Sequence, residues 1–422
     1  MDVTIIGSGI ASKNAAETLL SAFQDHDRLT LVTRDESFFY SRVFLPDYIA
    51  GELSREELLL GGAEDLDWGR ARFAAGRVTF IDTKGKSLRL ENGTSMRYDK
   101  LIIASGASPH RLKVRNADLG GIFYLRDLAD AEAIKEQAQR AERCIVVGGG
   151  LVSLKAACAL NSLGKRVTVL VGSDLLLSLV ADRAASEIVR RTLEAEGIRF
   201  RFNSEVKEFA GDAGRVTRAL LQDGSTVEGE MAVIAKGVRP NTDFVRGTDI
   251  ETDKGILVNE RMETTAGDVY AAGDVAQSAD LLRNGRALFT LWPDAAAQGR
   301  VAACGILGRE QRYCGGLSMN SVVFYSRPFV FLGLVRERDI AGCEVHSRRS
   351  PTSDTYRKVV IRNNRLVGAI LAGNIDFAGM LYWDIRSGRE VEDPRSYLSL
   401  EGLSQLSISK EGSCSSCRSL SP

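Results

Sequence analysis

The 422 residues are enough for two or three hydrophobic cores, and 44% hydrophobic with 26% charged residues is an ordinary globular composition. Lysine plus arginine and aspartate plus glutamate both total 55, a formal charge of zero in which nothing argues for a nucleic-acid groove or a polybasic membrane face. No run reaches the roughly 18 apolar residues of a bilayer span, there is no leader pattern, and seven scattered cysteines form no disulfide framework, so a cytoplasmic protein without a membrane span is expected.

The chain opens on "VTIIGSGIASKNAAETL" from Val3, an apolar strand running into Gly7 and Gly9 and then a helix. Glycines at such a strand-to-helix turn let the backbone approach a pyrophosphate at the helix N-terminus. Ser12 stands at the third small position. The next strand, "RLTLVTRDE", ends in Asp35, placed to accept hydrogen bonds from an adenosine ribose. A helical stretch is expected near Arg55 to Trp68 and a strand-rich excursion from Arg72 to Tyr98, before "YDKLIIASGASPHR" brings Ala104 and Gly106. The amphipathic helix "DLADAEAIKEQAQRAE" leads to a second fingerprint, "RCIVVGGGLVSLKAACAL", with Gly148, Gly150 and Ser153. Two such openings imply two adenine nucleotides. The following strand, "KRVTVLVGSD", carries Val171 where an acid is expected, and the segment closes on "MAVIAKGVRPNTDF".

Next, "TTAGDVYAAGDVA" places Gly273 and Asp274 at a strand end, and Pro293 suits the first turn of a helix starting at Trp292. Beyond Gly316 come alternating strands with turn signals, then the helix-like "DFAGMLYWDIRSGRE". The serine-rich end, residues 406–422, reads as a flexible tail, and its Cys414 and Cys417 as an incidental pair. Cys144 and Cys158 read as core fillers, and His26, His110 and His346 have no triad or metal-ligand spacing.

Four motifs in this order resemble the FAD-dependent pyridine nucleotide-disulfide oxidoreductase superfamily over residues 1–316. The resemblance implies an α/β fold with two nucleotide-binding Rossmann-like domains, the second inserted in the first, plus an α+β C-terminal domain. The implied boundaries are 1–110 and 245–316 for FAD, 111–244 for NAD(P), and 317–405 for the last domain. It implies that FAD is held by Gly7, Gly9, Ser12, Asp35, Arg42, Ala104, Gly106, Gly273, Asp274 and Pro293, and the nicotinamide nucleotide by Gly148, Gly150 and Ser153.

The segment "SFFYSRVFLPDYIAGEL" separates branches of the superfamily. Disulfide reductases and peroxidases carry cysteine beside the flavin, whereas here Val43 stands at that position and no cysteine precedes Cys144. Valine can neither attack a disulfide nor form a sulfenate. The stretch instead resembles the "YxRPxLSK" signature of ferredoxin, rubredoxin and nitrite reductase-type flavoproteins. In that branch the final lysine pairs with a glutamate of the second fingerprint; here the two positions are Asp47 and Lys155, with both signs reversed. A swapped ion pair bridging the nucleotide domains near the flavin is expected, and these two are the candidate catalytic residues.

The implied reaction is hydride exchange between a nicotinamide and the flavin, with single electrons passing to a separate iron-sulfur protein or subunit. NADH is favoured over NADPH, because no arginine pair follows the second strand; with Val171 in place of the acid, ribose recognition falls to Ser173 or Asp174. The resemblance extends to flavin subunits of 2-oxoacid oxidoreductases such as phenylglyoxylate dehydrogenase, which implies a subunit of a hetero-oligomer. Two other readings stay open: an NADH oxidase or peroxidase, and a non-catalytic FAD-binding scaffold.

Overall fold

The computed structural model describes residues 1–35, 39–60, 68–350 and 354–398. Cys414, Cys417 and the expected tail lie outside the described residues.

Two parallel sheets dominate. The first has the spatial order Val269–Ala271, Lys100–Ile103, Asp2–Ile6, Arg28–Thr33, Ala71–Ala75, with every neighbouring pair parallel. Its central strand is apolar on both faces, with Val3, Ile5 and Ile6 buried, as a strand covered by helices on two sides requires. The second has the order Arg199–Arg201, Arg166–Leu170, Arg143–Val147, Met231–Ile234, Ile122–Tyr124, again parallel throughout. Each module also carries a three-stranded antiparallel meander between the third and fourth parallel strands counted from its glycine strand: Val78–Asp82, Ser87–Leu90 and Ser95–Arg97 in the first, Val206–Asp212, Arg215–Leu221 and Thr226–Glu228 in the second.

The modules differ in the source of the fifth strand. In the first it arrives from beyond the insertion, as Val269–Ala271; in the second it precedes the glycine strand, as Ile122–Tyr124. The chain leaves and re-enters the first module through a two-stranded antiparallel ribbon, Ala107–Pro109 against Val238–Pro240.

The helical stretch expected near Arg55 to Trp68 is not what forms. Its described part holds only single 3-10 turns at Glu56–Leu58 and Trp68–Arg70, and the α-helix lies earlier, at Leu45–Ala50, ended by Gly51 with φ +80°. A reciprocal cap does form at its start: Glu57 N–H donates to Ser54 Oγ at 3.3 Å and Ser54 N–H to a Glu57 carboxylate oxygen at 2.7 Å. The turn stops because Leu58 and Leu60 are drawn into backbone pairing, with Ser41 N–H on Leu58 O at 2.8 Å and Leu60 N–H on Phe39 O at 2.8 Å.

That pairing has a packing consequence. Tyr40, Leu45, Ile49 and Leu58 are buried in the same core cluster as Leu128 and Leu154 of the second module. The segment is close to the first glycine turn in sequence, yet it packs as a wedge in its neighbour's core.

The last sheet is antiparallel, in the order Met319–Phe324, Arg327–Gly333, Arg365–Ala372, Tyr356–Arg362, Glu344–Arg349, with the helix Ala378–Ser387 packed on it. Asn363 and Asn364, at φ +51° and +58°, close the central hairpin. Phe324, Phe329 and Phe331 join the second module's core. Across the same junction Tyr356 Oη, at 2.8 Å, and Lys358 Nζ, at 3.0 Å, donate to Asp182, the N-cap of the helix Arg183–Ala195.

Candidate functional site

The first turn is a tight cradle. Gly7 has φ +119°, and a Cβ there would overlap the Ala104 carbonyl oxygen, so only glycine fits. Gly9 precedes the helix Ile10–Leu20, whose first turn has no side-chain cap, leaving its N–H groups for an anion. Ser8 Oγ donates to Asp35 at 3.2 Å, Thr33 Oγ1 reaches Ser8 Oγ at 3.1 Å, and the Arg42 guanidinium binds the same Asp35 carboxylate. Arg42 also lies over the Tyr40 ring, 4.7 Å from its centroid, and within 3.5 Å of where a Gly9 Cβ would stand. A cation is thereby held above the glycine turn. The Ser12 and Ser41 hydroxyls are buried with no hydrogen-bond partner among the described residues. A polar ligand along this turn fits both those orphaned groups and the glycine cradle, as FAD would.

The same module ends in a second helix N-terminus. Trp292–Ile306 carries Pro293 in its first turn and again has no side-chain cap. It packs so closely on Ile10–Leu20 that a Cβ at Gly299 would overlap the Ala11 carbonyl oxygen. Its buried Gln298 accepts from Gly273 N–H at 2.8 Å and donates to Ser278 Oγ at 3.1 Å, fixing the turn that presents Asp274. Asp294 accepts from the Tyr313 hydroxyl, and burial raises its carboxyl above the ordinary range.

The second turn repeats the cradle. Gly148 has φ +129° against the Ala235 carbonyl oxygen, Gly150 precedes the uncapped helix Leu151–Ser162, and Ser153 Oγ donates to Ala235 O at 2.9 Å. The polar furnishing is different. Val171 is buried and stands 2.8 Å from a Cβ placed at Gly149. Ser173 Oγ donates to Leu175 O at 2.8 Å, and Asp174 accepts from Arg183 at 2.7 Å through one carboxylate oxygen.

Between the turns, Lys155 Nζ donates to Asp47 Oδ1 at 2.9 Å. The helices Leu45–Ala50 and Leu151–Ser162 bring the two together, with side-chain exposures of 17% for Asp47 and 29% for Lys155. Val43, just ahead of the Asp47 helix, is 59% exposed. Arg126, which sequence reasoning did not single out, crosses from the second module to Asp274 at 2.8 Å and lies 3.6 Å from a Cβ placed at Gly106. Arg126 N–H also donates to Asp130, whose carboxyl is pushed up to about 6 by burial and by the charge of Asp127. Gln298 and Gly299 were likewise missed, although the small-residue run Ala295, Ala296, Ala297 ahead of Gly299 signals a close helix contact. Cys144 and Cys158 are pushed to about 12 by burial, which leaves their thiols unreactive.

Comparison with known proteins matches residues 1–299 to the pyridine nucleotide-disulphide oxidoreductase family and residues 331–388 to the rubredoxin NAD+ reductase C-terminal domain. The chain is 26% identical to the nitrite reductase [NAD(P)H] of Bacillus subtilis over 96% of its own length, but it spans about half, 49%, of that protein. It is 29% identical to the epsilon subunit of an NADH-dependent phenylglyoxylate dehydrogenase of Aromatoleum evansii, covering 87% of this chain and 88% of the subunit. A ferredoxin reductase from Rhodopseudomonas palustris shares the fold, with a TM-score of 0.87, 23% identity, and coverage of 95% and 98%.

Proposed function

Because the chain belongs to the pyridine nucleotide-disulphide oxidoreductase family, we propose that it is an FAD-containing oxidoreductase moving electrons between NAD(H) and a separate iron-sulfur protein. We place it as the NAD-facing subunit of a larger oxidoreductase complex such as a 2-oxoacid dehydrogenase, in the cytoplasm. The observation that carries the reading is the pair of matched glycine cradles, Gly7 on Ala104 and Gly148 on Ala235, with no cysteine in the sequence before Cys144. Two dinucleotide turns with no thiol beside the first support transfer of electrons from the flavin to a partner. The rubredoxin reductase C-terminal match supports an iron-sulfur carrier as that partner, and the likeness to a dehydrogenase subunit supports the assembly. No described helix is long and apolar enough to cross a membrane.

FAD, when bound, supplies a group that takes a hydride from NADH and releases the two electrons singly. The residues do the rest. Gly7, Gly9 and the Ile10–Leu20 N-terminus hold a pyrophosphate, and Arg42 adds positive charge above it while orienting Asp35 toward a ribose. Gly273 and Asp274, steadied by Gln298 and Arg126, present a carboxylate to ribityl hydroxyls. Gly148, Gly150 and the Leu151–Ser162 N-terminus hold the nicotinamide nucleotide, Ser153 ties that helix to Ala235, and the Asp47 and Lys155 pair keeps the helix in register with the first module.

The test is an anaerobic titration of the purified yellow protein with NADH and then NADPH, followed at the oxidised flavin band, with a low-potential iron-sulfur protein added afterwards. Bleaching by NADH and re-oxidation by the carrier is the expected result. No bleaching by either nucleotide transfers support to the scaffold reading, and NADH consumption stimulated by peroxide transfers it to the peroxidase reading.

A further inference from the structure

We infer that Glu205 is the ribose acceptor of the second nucleotide site and makes that site prefer a 2′-hydroxyl to a 2′-phosphate; this rests on the reading that NAD(H) binds the second turn. The strand Arg166–Leu170 ends in Val171, which has no acceptor to offer and is packed against Gly149. The chain supplies one from the neighbouring loop. Residues 203–205 run beside 171–173, with Ser204 N–H on Val171 O at 2.9 Å and Asn203 N–H on Ser173 O at 3.1 Å. This brings Glu205 over Gly172, where a Cβ would overlap its Oε1. Glycine at 172 thus makes room for a carboxylate at the strand end, next to the position the expected acid would have held.

The carboxylate also reaches toward the glycine turn. Lys236 Nζ donates to Glu205 Oε2 at 2.5 Å, and Lys236 directly follows Ala235, whose carbonyl oxygen closes on Gly148. One cation occupies one oxygen, which leaves a carboxylate able to accept from vicinal hydroxyls. Its side chain is 48% exposed, so a ligand can approach it. A 2′-phosphate at the same place meets a like charge, and Lys236 is committed to Glu205 instead of the phosphate.

The experiment measures binding of NAD+ and NADP+ to the FAD-loaded protein by isothermal titration calorimetry, for wild type, E205Q, K236M and the double variant V171E/E205Q. For E205Q the expectation is about tenfold weaker NAD+ binding and tighter NADP+ binding, with flavin content and melting temperature held. K236M removes the counter-charge alone and should keep NAD+ affinity, whereas V171E/E205Q should recover it by restoring an acid on the strand. An E205Q protein that binds NAD+ as wild type does overturns the inference while leaving the nucleotide site intact. Wild-type protein that binds neither nucleotide overturns the reading of the second turn, and this inference with it.

Discussion

In the first module the carbonyl that receives the glycine turn, Val32 O on Gly7 N–H at 2.8 Å, is followed by Thr33; in the second, Leu170 O on Gly148 N–H at 2.9 Å is followed by Val171. Thr33 begins a polar relay through Ser8 to Asp35 and Arg42, whereas Val171 begins an apolar contact with Gly149. The cradles themselves are nearly superimposable in logic, each a positive-φ glycine pressed on an alanine carbonyl. Backbone geometry therefore makes a site for a dinucleotide, and the side chains at the strand end decide how its ribose is recognised. The second module has replaced a side chain on the strand with one from the adjoining loop.

The largest break in this comparison comes from the glycines. Gly7→Ala should yield flavin-free, poorly folded protein, since an L-residue at this φ costs about 1–3 kcal/mol before the overlap with Ala104 O is counted. Gly148→Ala should keep the yellow colour and lose bleaching by NADH. Absorbance of the purified variants, before and after NADH, separates the two.

Charge reversal at the junction has the next effect. Lys155→Glu sets two carboxylates together at a part-buried position and should slow flavin reduction by about ten- to hundredfold in stopped-flow measurements. The double variant Asp47→Lys with Lys155→Glu should recover most of that rate. A double variant as slow as the single one shows that the two residues are uncoupled.

Arg126→Ala removes the cross-module ion pair to Asp274 and should weaken FAD about tenfold, read as flavin released on dilution, with NAD+ binding unchanged. The smallest effect is a pH response at the same corner. The Asp130 carboxyl is raised to about 6 in the folded protein, against an ordinary value near 3.8, so the folded state holds its proton more tightly. Stability from this group is present below about pH 4 and declines as pH rises toward and through 6. Asp130→Asn, which can still accept the Arg126 and Asp127 N–H groups, should flatten that part of the melting-temperature profile.

Much of the architecture was legible because glycine spacing and apolar strands are local signals. "VTIIGSG" and "RCIVVGGG" require buried strands followed by positive-φ turns whatever surrounds them, and the helix at Trp292 was readable from its proline. The stretch from Arg55 is helical for one capped turn only, because the pull of Phe39 and Ser41 on Leu58 and Leu60 is long-range and leaves no local pattern. Arg126 escaped notice for the same reason. Its partner Asp274 is 148 residues away, and no local pattern links them.

From the sequence alone came two dinucleotide turns and the absence of any cysteine before Cys144, which spacing and composition carry, and the reversed signs at Asp47 and Lys155, which the resemblance to the flavoprotein signature implies. The tertiary structure alone decided that Asp47 and Lys155 meet at 2.9 Å, that residues 40–58 pack in the other module's core, and that Glu205 stands over Gly172. Those facts depend on which surfaces are buried against one another, and burial is a property of the assembled sheets rather than of any one segment.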